Sequence, residues 1–322
     1  MHLKAIALTA MLSIAPCLTA DDRLKLRLSF DAPATDQRSI ALMTAFKPRV
    51  MPFADFEPHW NGTLFRQGTE LIALARGNLD MTITSAQQLA EFIPDFSIFT
   101  AGYVHRDAAH QVNVFNDPLM QPFKNKAEQV LGIKLLAVMY LGRRQLNLRT
   151  EQIIQTPEDL KGVKLRMPGS ATWQFLGKAL GASPTPMAFS EVYTALQTGA
   201  VDGQDNPLPT VVNSRFYEVT RQIILTSHIV DLNYIAFSRM TWEKLTAQQQ
   251  QTLEQAAIAT AEFGRTNQLR LESELTSYLQ QQGIRIYEPD LTAFRSRVQQ
   301  AYQSSEYAAN WPPGLLEKIN AL

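Results

Sequence analysis

Apolar and polar residues alternate over Leu26-Arg27-Leu28-Ser29-Phe30, the period of a half-buried strand. Asp31-Ala32-Pro33 ends that run, and Ser39 to Val50 then carries apolar residues at helical spacing. A strand-like piece follows at Phe56 to Trp60. Thr69 to Arg76 reads as a helix closed by Gly77, and Asp80 to Thr84 as a further strand. The order β-α-β-α-β predicts a mainly parallel sheet with helices on its faces.

The middle of the chain repeats this grammar. Lys134 to Tyr140 (KLLAVMY) predicts a buried strand. Thr156-Pro157-Glu158-Asp159 is a helix start, with Thr as cap, Pro at the first position and an acid at the third; Gly162 ends that short helix. Val163 to Met167 is the next strand. Ser170 caps a helix that runs to Leu180 and stops at Gly181, and a further helix runs from Ser190 to Thr198. Near the C-terminus, Thr246 with Gln249 opens an unusually long helical pattern that Gly283 ends. Leu253, Ala256, Ala257, Thr260, Phe263, Leu271, Leu275 and Leu279 mark its apolar face. Roughly 36 residues at ~1.5 Å each span about 54 Å, more than a single domain needs, so the helix is expected to cross two lobes. Its spacing keeps no strict heptad, which disfavours a coiled coil. No linker separates the lobes, so the chain must pass between them more than once.

Composition narrows the class. The 322 residues are 45% hydrophobic and 19% charged, the balance of a packed globular protein. Lys+Arg and Asp+Glu both number 30, so net charge offers no argument for nucleic acid or an acidic membrane. The first twenty residues, MHLKAIALTAMLSIAPCLTA, break the pattern: Lys4 supplies a basic start, an apolar stretch follows, and Ala20 precedes Asp21-Asp22. This reads as a secretory signal peptide over 1–20, too short and proline-interrupted for a retained anchor. Cleavage after Ala20 removes Cys17, the only cysteine, leaving the core alone to hold the mature chain together.

The chemistry that is missing is equally informative. Of the five histidines only His105 and His110 lie close in sequence, at a spacing that does not share one helix face, so no metal site is expected. There is no G-x-S-x-G, no phosphate-cradling loop and no G-x-G-x-x-G, and no cofactor is expected. Arginines carry the positive signal. Arg143-Arg144 follow the strand that ends near Tyr140, and Arg166 closes the strand in Lys164-Leu165-Arg166-Met167-Pro168-Gly169-Ser170. Carried on neighbouring parallel strands, both guanidinium groups would face the crevice beyond the strand ends, where a planar fork matches a carboxylate. The plainer reading pairs each arginine with a nearby acid such as Glu158 or Asp159. Helix starts at Ser170 and Ser190 would add positive dipole ends to the same crevice.

The run TPEDLKGVKLRMPGSATWQFLGKALGASPTPMAFSEVYTALQTGAVDGQDNP, Thr156 to Pro207, closely resembles the extracytoplasmic solute-binding subunits of TRAP transporters, the DctP-type family that includes sialic-acid and dicarboxylate binders. The resemblance implies an α/β, two-lobed periplasmic-binding-protein fold, with hinge-linked β-sheet domains and a long helix bridging both lobes. Lobe I is expected to comprise 21–141 plus about 232–270, and lobe II 142–231 plus about 271–322. It implies a periplasmic monomer that binds a small organic acid and meets the small and large membrane subunits of a permease. Arg166 matches the arginine of the family's K-[LI]-R-x-P motif, which pairs with the ligand carboxylate. Arg144 matches a second, less constant arginine, Asn206 the asparagine near the carboxylate, and Phe189 the aromatic that packs on the ligand. Read without the family, Phe189 is simply a core aromatic.

Three positions depart from the sialic-acid binders. Ser85 falls where those carry a glutamate, Gly169 where they carry an asparagine, and Gln67 near their aspartate. Asp31 matches another pocket-lining polar position, suited to solute hydroxyls and hostile to a second carboxylate. That combination favours a hydroxylated monocarboxylate such as a sugar acid over a plain dicarboxylate. Trp173 reads first as a helix-packing residue and second as a cover over the pocket mouth. A secreted enzyme on a similar scaffold, or a chemoreceptor accessory, stays open on sequence alone.

Overall fold

Two long strands, Ile133–Leu148 and Gln222–Ser238, run antiparallel along nearly their whole length and form the spine of the molecule. The computed structural model describes residues 23–322; the signal-peptide segment lies outside them. Around the spine the described residues build one nine-stranded mixed sheet. Its strands in chain order are β1 (Leu24–Ser29), β2 (Ala54–His59), β3 (Met81–Ser85), β4 (Ile133–Leu148), β5 (Lys164–Met167), β6 (Ser183–Pro186), β7 (Gly203–Asn206), β8 (Gln222–Ser238) and β9 (Arg285–Tyr287). Spatially they lie β2-β1-β3-β8-β4-β7-β5-β6, with β9 also paired to β8.

The β-α-β readings hold at each end. β1 pairs in parallel with β2 and β3, and β5 in parallel with β6 and β7. The sheet as a whole is not mainly parallel, because β3 and β7 both run against the spine. β4 also outruns its expected end at Tyr140, continuing through Arg143 and Arg144 to Leu148. The ladder slips between Tyr140 and Gly142 and again between Arg144 and Leu146. Gly142 takes φ 124°, and a Cβ there would sit 2.5 Å from Glu272 Oε1. Such bulges bend a strand and re-aim its side chains, and here Arg143 is left exposed while Arg144 is buried.

The predicted long helix is present as Ala247–Gln281, and 35 residues give it a length of about 52 Å. Thr246 and Gln249 form its capping box, a feature that contributes about 1 kcal/mol. Leu253, Ala256, Ala257 and Ala261 join the core that covers β1–β3, whereas Leu279 joins a separate core with Val192, Leu196 and Phe216. Between those two anchorages the buried face turns polar. Gln268 donates to the Leu141 carbonyl, and Glu272 accepts from the Tyr140 hydroxyl and the Arg143 amide, both at 2.6 Å. The helix therefore grips β4 at its bulge with hydrogen bonds, where a sheet edge loses ladder partners. No helix among the described residues is long and apolar enough to cross a membrane.

The helix read over Ser39 to Val50 starts earlier, at Gln37 under an Asp36 cap, and winds as a π-helix over Leu42–Phe46. Pro48 supplies the cause, since it has no N–H to return to the carbonyl four residues before it. Ser190 caps nothing; it lies within the 3₁₀ turn Phe189–Glu191 that precedes the helix Val192–Thr198.

Candidate functional site

Where the two ends of the sheet face one another, a cavity is lined from both sides by polar side chains. The segment just after β1 delivers Phe30 and Asp31, the Asp36-capped helix delivers Arg38, and the loop after β2 delivers Gln67. Ser85 ends β3, Arg144 projects from β4, Arg166 from β5, Asn206 from the end of β7, and Asp231 and Asn233 from β8. Trp173 and Phe189 complete the wall. Every sequence-predicted site residue except Gly169 thus borders one cavity; Gly169 lies on an adjoining one.

Three arginines reach this cavity, and their surroundings separate them. Arg38 is clamped by Asp36 through Nε and Nη2 at 2.8 and 3.1 Å, its Nη1 donates to Asn233 at 2.7 Å, and its guanidinium lies over the Phe30 ring. Arg144 is held harder. Nε and Nη2 meet the two oxygens of Asp205 at 2.6 and 3.0 Å, and Nη1 meets Asp231 at 2.8 Å. Its guanidinium stacks 4.5 Å from the Trp173 ring centroid. Burial alone would lift the Asp205 carboxyl, but Arg144 and the His228 ring 3.0 Å away hold it well below the usual carboxylate range. The plainer pairing reading therefore applies to Arg144, though with Asp205 and Asp231 in place of the acids expected. Glu158 pairs with Arg297, and Asp159 accepts from the Gln155 and Thr156 amides. Nor do the two arginines sit on neighbouring parallel strands: β7 separates β4 from β5, and β4 runs antiparallel to it.

Arg166 is different. Its side chain is 1% exposed, yet no carboxylate among the described residues comes within ion-pair distance. Nε and Nη2 donate to the Met187 carbonyl at 3.0 and 2.8 Å, and Nη2 donates to Gln67 Oε1 at 3.1 Å. Burial lowers it to about 10, with Arg144 pushing the same way and Asp205 and Asp31 opposing, so it stays a cation at neutral pH. An unpaired buried charge costs several kcal/mol unless something else supplies the counter-charge. Asp31 lines the same cavity and likewise has no salt bridge among the described residues. Burial raises its carboxyl, Arg38 and Arg166 counter the rise, and it accepts a hydrogen bond from Gln67 Nε2.

Gln67 spans the two. Its Oε1 also accepts from the Phe189 amide at 2.9 Å, so one carboxamide links Asp31 to Arg166 and Phe189 across the cleft. Asn206 donates to Gln204 at 2.6 Å and borders the cavity from the end of β7. Ser85 spends its hydroxyl on the capping box with Gln88. Trp173 is buried against the core at 3% exposure and also forms part of the cavity wall. Phe189 likewise packs edge-on against Phe216 at 5.8 Å while lining the cavity. Sequence reasoning missed Arg38, Asp231 and Asn233. The last two stand on β8, where Val230-Asp231-Leu232-Asn233-Tyr234 alternates as a strand does, and a polar residue inside such a run was the available signal.

Comparison with known proteins places this geometry. Residues 53–309 match the family model DctP, described as bacterial extracellular solute-binding protein, family 7. The sialic acid-binding periplasmic protein of Vibrio cholerae is 34% identical over 249 residues, 77% of this chain and 76% of its own. A TRAP periplasmic solute-binding protein of Roseobacter denitrificans, solved with 3-deoxy-D-manno-oct-2-ulosonic acid bound, is 60% identical with a TM-score of 0.92, covering 93% of this chain and 99% of that one. A Haemophilus influenzae homologue solved with L-gulonate is 26% identical with a TM-score of 0.85, covering 93% and 99%. The fold and the cleft are those of a two-lobed solute-binding protein with a long helix bridging its lobes. The chain belongs to the DctP-type, TRAP-transporter family of extracytoplasmic solute-binding proteins.

Proposed function

We propose that this protein captures a sugar acid in the periplasm and delivers it to the small and large membrane subunits of a TRAP permease, acting as a monomer and by binding without turnover. One observation carries the reading: Arg166 is a buried cation with no carboxylate among the described residues within ion-pair distance. A solute carboxylate would supply it, replacing the neutral Gln67 oxygen on Nη2 with a charge-assisted, bidentate contact. Gln67 also indicates what else the solute carries. It presents an acceptor to Arg166 and a donor to Asp31, the pattern of a carboxylate with a nearby hydroxyl. With Arg38 and Arg144 each held by acids, a second carboxylate would find no free cation, which disfavours dicarboxylates.

Asn206 and Phe189 would line the carboxylate end, with Arg144 acting through the rigid wall it forms with Trp173. The lobes we infer, 21–141 plus about 232–270 and 142–231 plus about 271–322, would move about the bulge at Gly142. Closure on the solute then buries the ion pair. Titration calorimetry with 3-deoxy-D-manno-oct-2-ulosonic acid, D-galactonate and L-gulonate, against neutral sugars of the same size, tests the proposal. Binding of at least one acid and of no neutral sugar is expected. Binding of neutral sugars alone would overturn it.

A further inference from the structure

On the far side of Gln67 and Trp173 lies a second chamber of about 290 Å³, against about 60 Å³ in the cavity beside Arg166. Gln67, Gln88, Pro168 and Trp173 border both, so the two adjoin across these four residues. Two glycines keep the second chamber open. A Cβ placed on Gly68 or on Gly169 would meet no heavy atom within 4 Å.

The chemistry of its wall differs from that of the first cavity. Among the described residues, no lysine, arginine or histidine lines it. Glu91 uses one carboxylate oxygen on the Ala171 amide at 3.0 Å, leaving the other to accept from a guest. Gln88 uses its carbonyl on the Ser85 amide and the Thr84 hydroxyl, at 3.1 and 2.9 Å, so its amide hydrogens remain to donate. Phe92 and Trp173 offer apolar faces to carbon-bound hydrogens. Such a wall rejects a second anion and suits a neutral chain that alternates hydroxyls with C–H faces.

We propose that this chamber seats the hydroxylated tail of a sugar acid longer than six carbons, and that Gly169 sets the chain length the protein accepts. The proposal rests on Arg166 anchoring the carboxylate, which fixes one end of the solute and sends the other past Trp173. Only the head of the solute fits beside Arg166, where the space is about a fifth of that in the chamber. Gly169 has an ordinary backbone conformation, so side chains can be added there without strain.

Calorimetry on wild type, Gly169→Ala, Gly169→Val and Arg166→Met, with the eight-carbon 3-deoxy-D-manno-oct-2-ulosonic acid and the six-carbon D-galactonate, tests it. Wild type should bind the longer acid more tightly. Gly169→Val should weaken that acid about tenfold or more, the range over which pocket sterics discriminate, with a smaller loss for Gly169→Ala and a fall in the ratio of the two affinities. A galactonate too weak to titrate is the same preference seen from the ligand side. Equal wild-type affinities would overturn the inference, as would a Gly169→Val protein that melts normally and binds the longer acid within threefold of wild type. If Arg166→Met binds as wild type does, the anchor itself is wrong. If Arg166 dependence holds and the Gly169 series is flat, only the chamber inference falls.

Discussion

The carboxamide oxygen of Gln67 sits 3.1 Å from Nη2 of Arg166, so a neutral side chain from one side of the cleft occupies the cation on the other. The same oxygen accepts the Phe189 amide, and the amide nitrogen satisfies Asp31. A group in that position works as a place-holder. It satisfies the guanidinium's hydrogen-bonding geometry without neutralising its charge, so an anion arriving there gains what the amide cannot give.

Replacing that place-holder with an anion should block the site. In Gln67→Glu the new carboxylate would reach Arg166 from inside the protein and compete with any solute acid. Calorimetry should show sugar-acid affinity lowered by about tenfold or more, because a charged hydrogen bond exceeds a neutral one by about 1.4 kcal/mol or more. Unchanged affinity would mean that the solute carboxylate binds elsewhere.

Arg166→Met should abolish acid binding while barely changing stability. The folded protein loses donors to the Met187 carbonyl, a cost of about 1–3 kcal/mol, but is relieved of a desolvated cation that has no ion-pair partner among the described residues. A urea midpoint close to wild type, together with a loss of about 3 kcal/mol or more in binding, is expected. A protein that unfolds outright would show that Arg166 serves the fold instead.

Arg144→Met should do the reverse. It strands Asp205 and Asp231, both buried, and the expected penalty is about 3–5 kcal/mol in urea unfolding. The contrast between the two arginines is the informative measurement, since each is buried and each borders the cavity. Equal stability losses would contradict the division of labour drawn from their partners.

How much of this was legible in the sequence depends on where the deciding partner sits. The long helix could be read because its signals are local: the Thr246–Gln249 cap, the Leu253-Ala256-Ala257-Thr260 face and Gly283. β1 to β3 and β5 could be read for the same reason. β8 was not, because almost every residue of it is buried on both faces and little alternation survives in Gln222–His228. The sequence pattern ends β4 at Tyr140 because Gly142-Arg143-Arg144 looks like a strand exit. What keeps Arg144 inside the ladder is Asp205, 61 positions away, and Asp231, 87 away. Candidate residues Arg166, Arg144, Asn206 and Asp31 could be named from their motifs. Which arginine lacks a counter-ion is set by tertiary pairing, and no local pattern reveals it.

The last prediction concerns pH. Glu70, 4% exposed at the start of the helix after the Gln67 loop, is pushed up from an ordinary 4.5 to about 8, first by burial and then by the negative field of Asp31. Hydrogen bonds from the backbone, including the Gly68 amide at 2.7 Å, oppose the rise without cancelling it. Below about pH 4.5 the folded and unfolded chains both hold the proton. Between there and about pH 8 the unfolded chain releases it while the folded one keeps it, so stability falls as pH rises and levels off above. The loss is on the order of a few kcal/mol. Glu70→Gln keeps an acceptor for the Gly68 amide but has nothing to titrate, so its stability should decline less over the same interval. Urea unfolding at about pH 5 and about pH 8 measures both slopes. Parallel slopes for wild type and Glu70→Gln would show that Glu70 is already ionised in the folded protein, and with it that the Gly68–Glu70 turn beside the cleft carries a full negative charge at neutral pH.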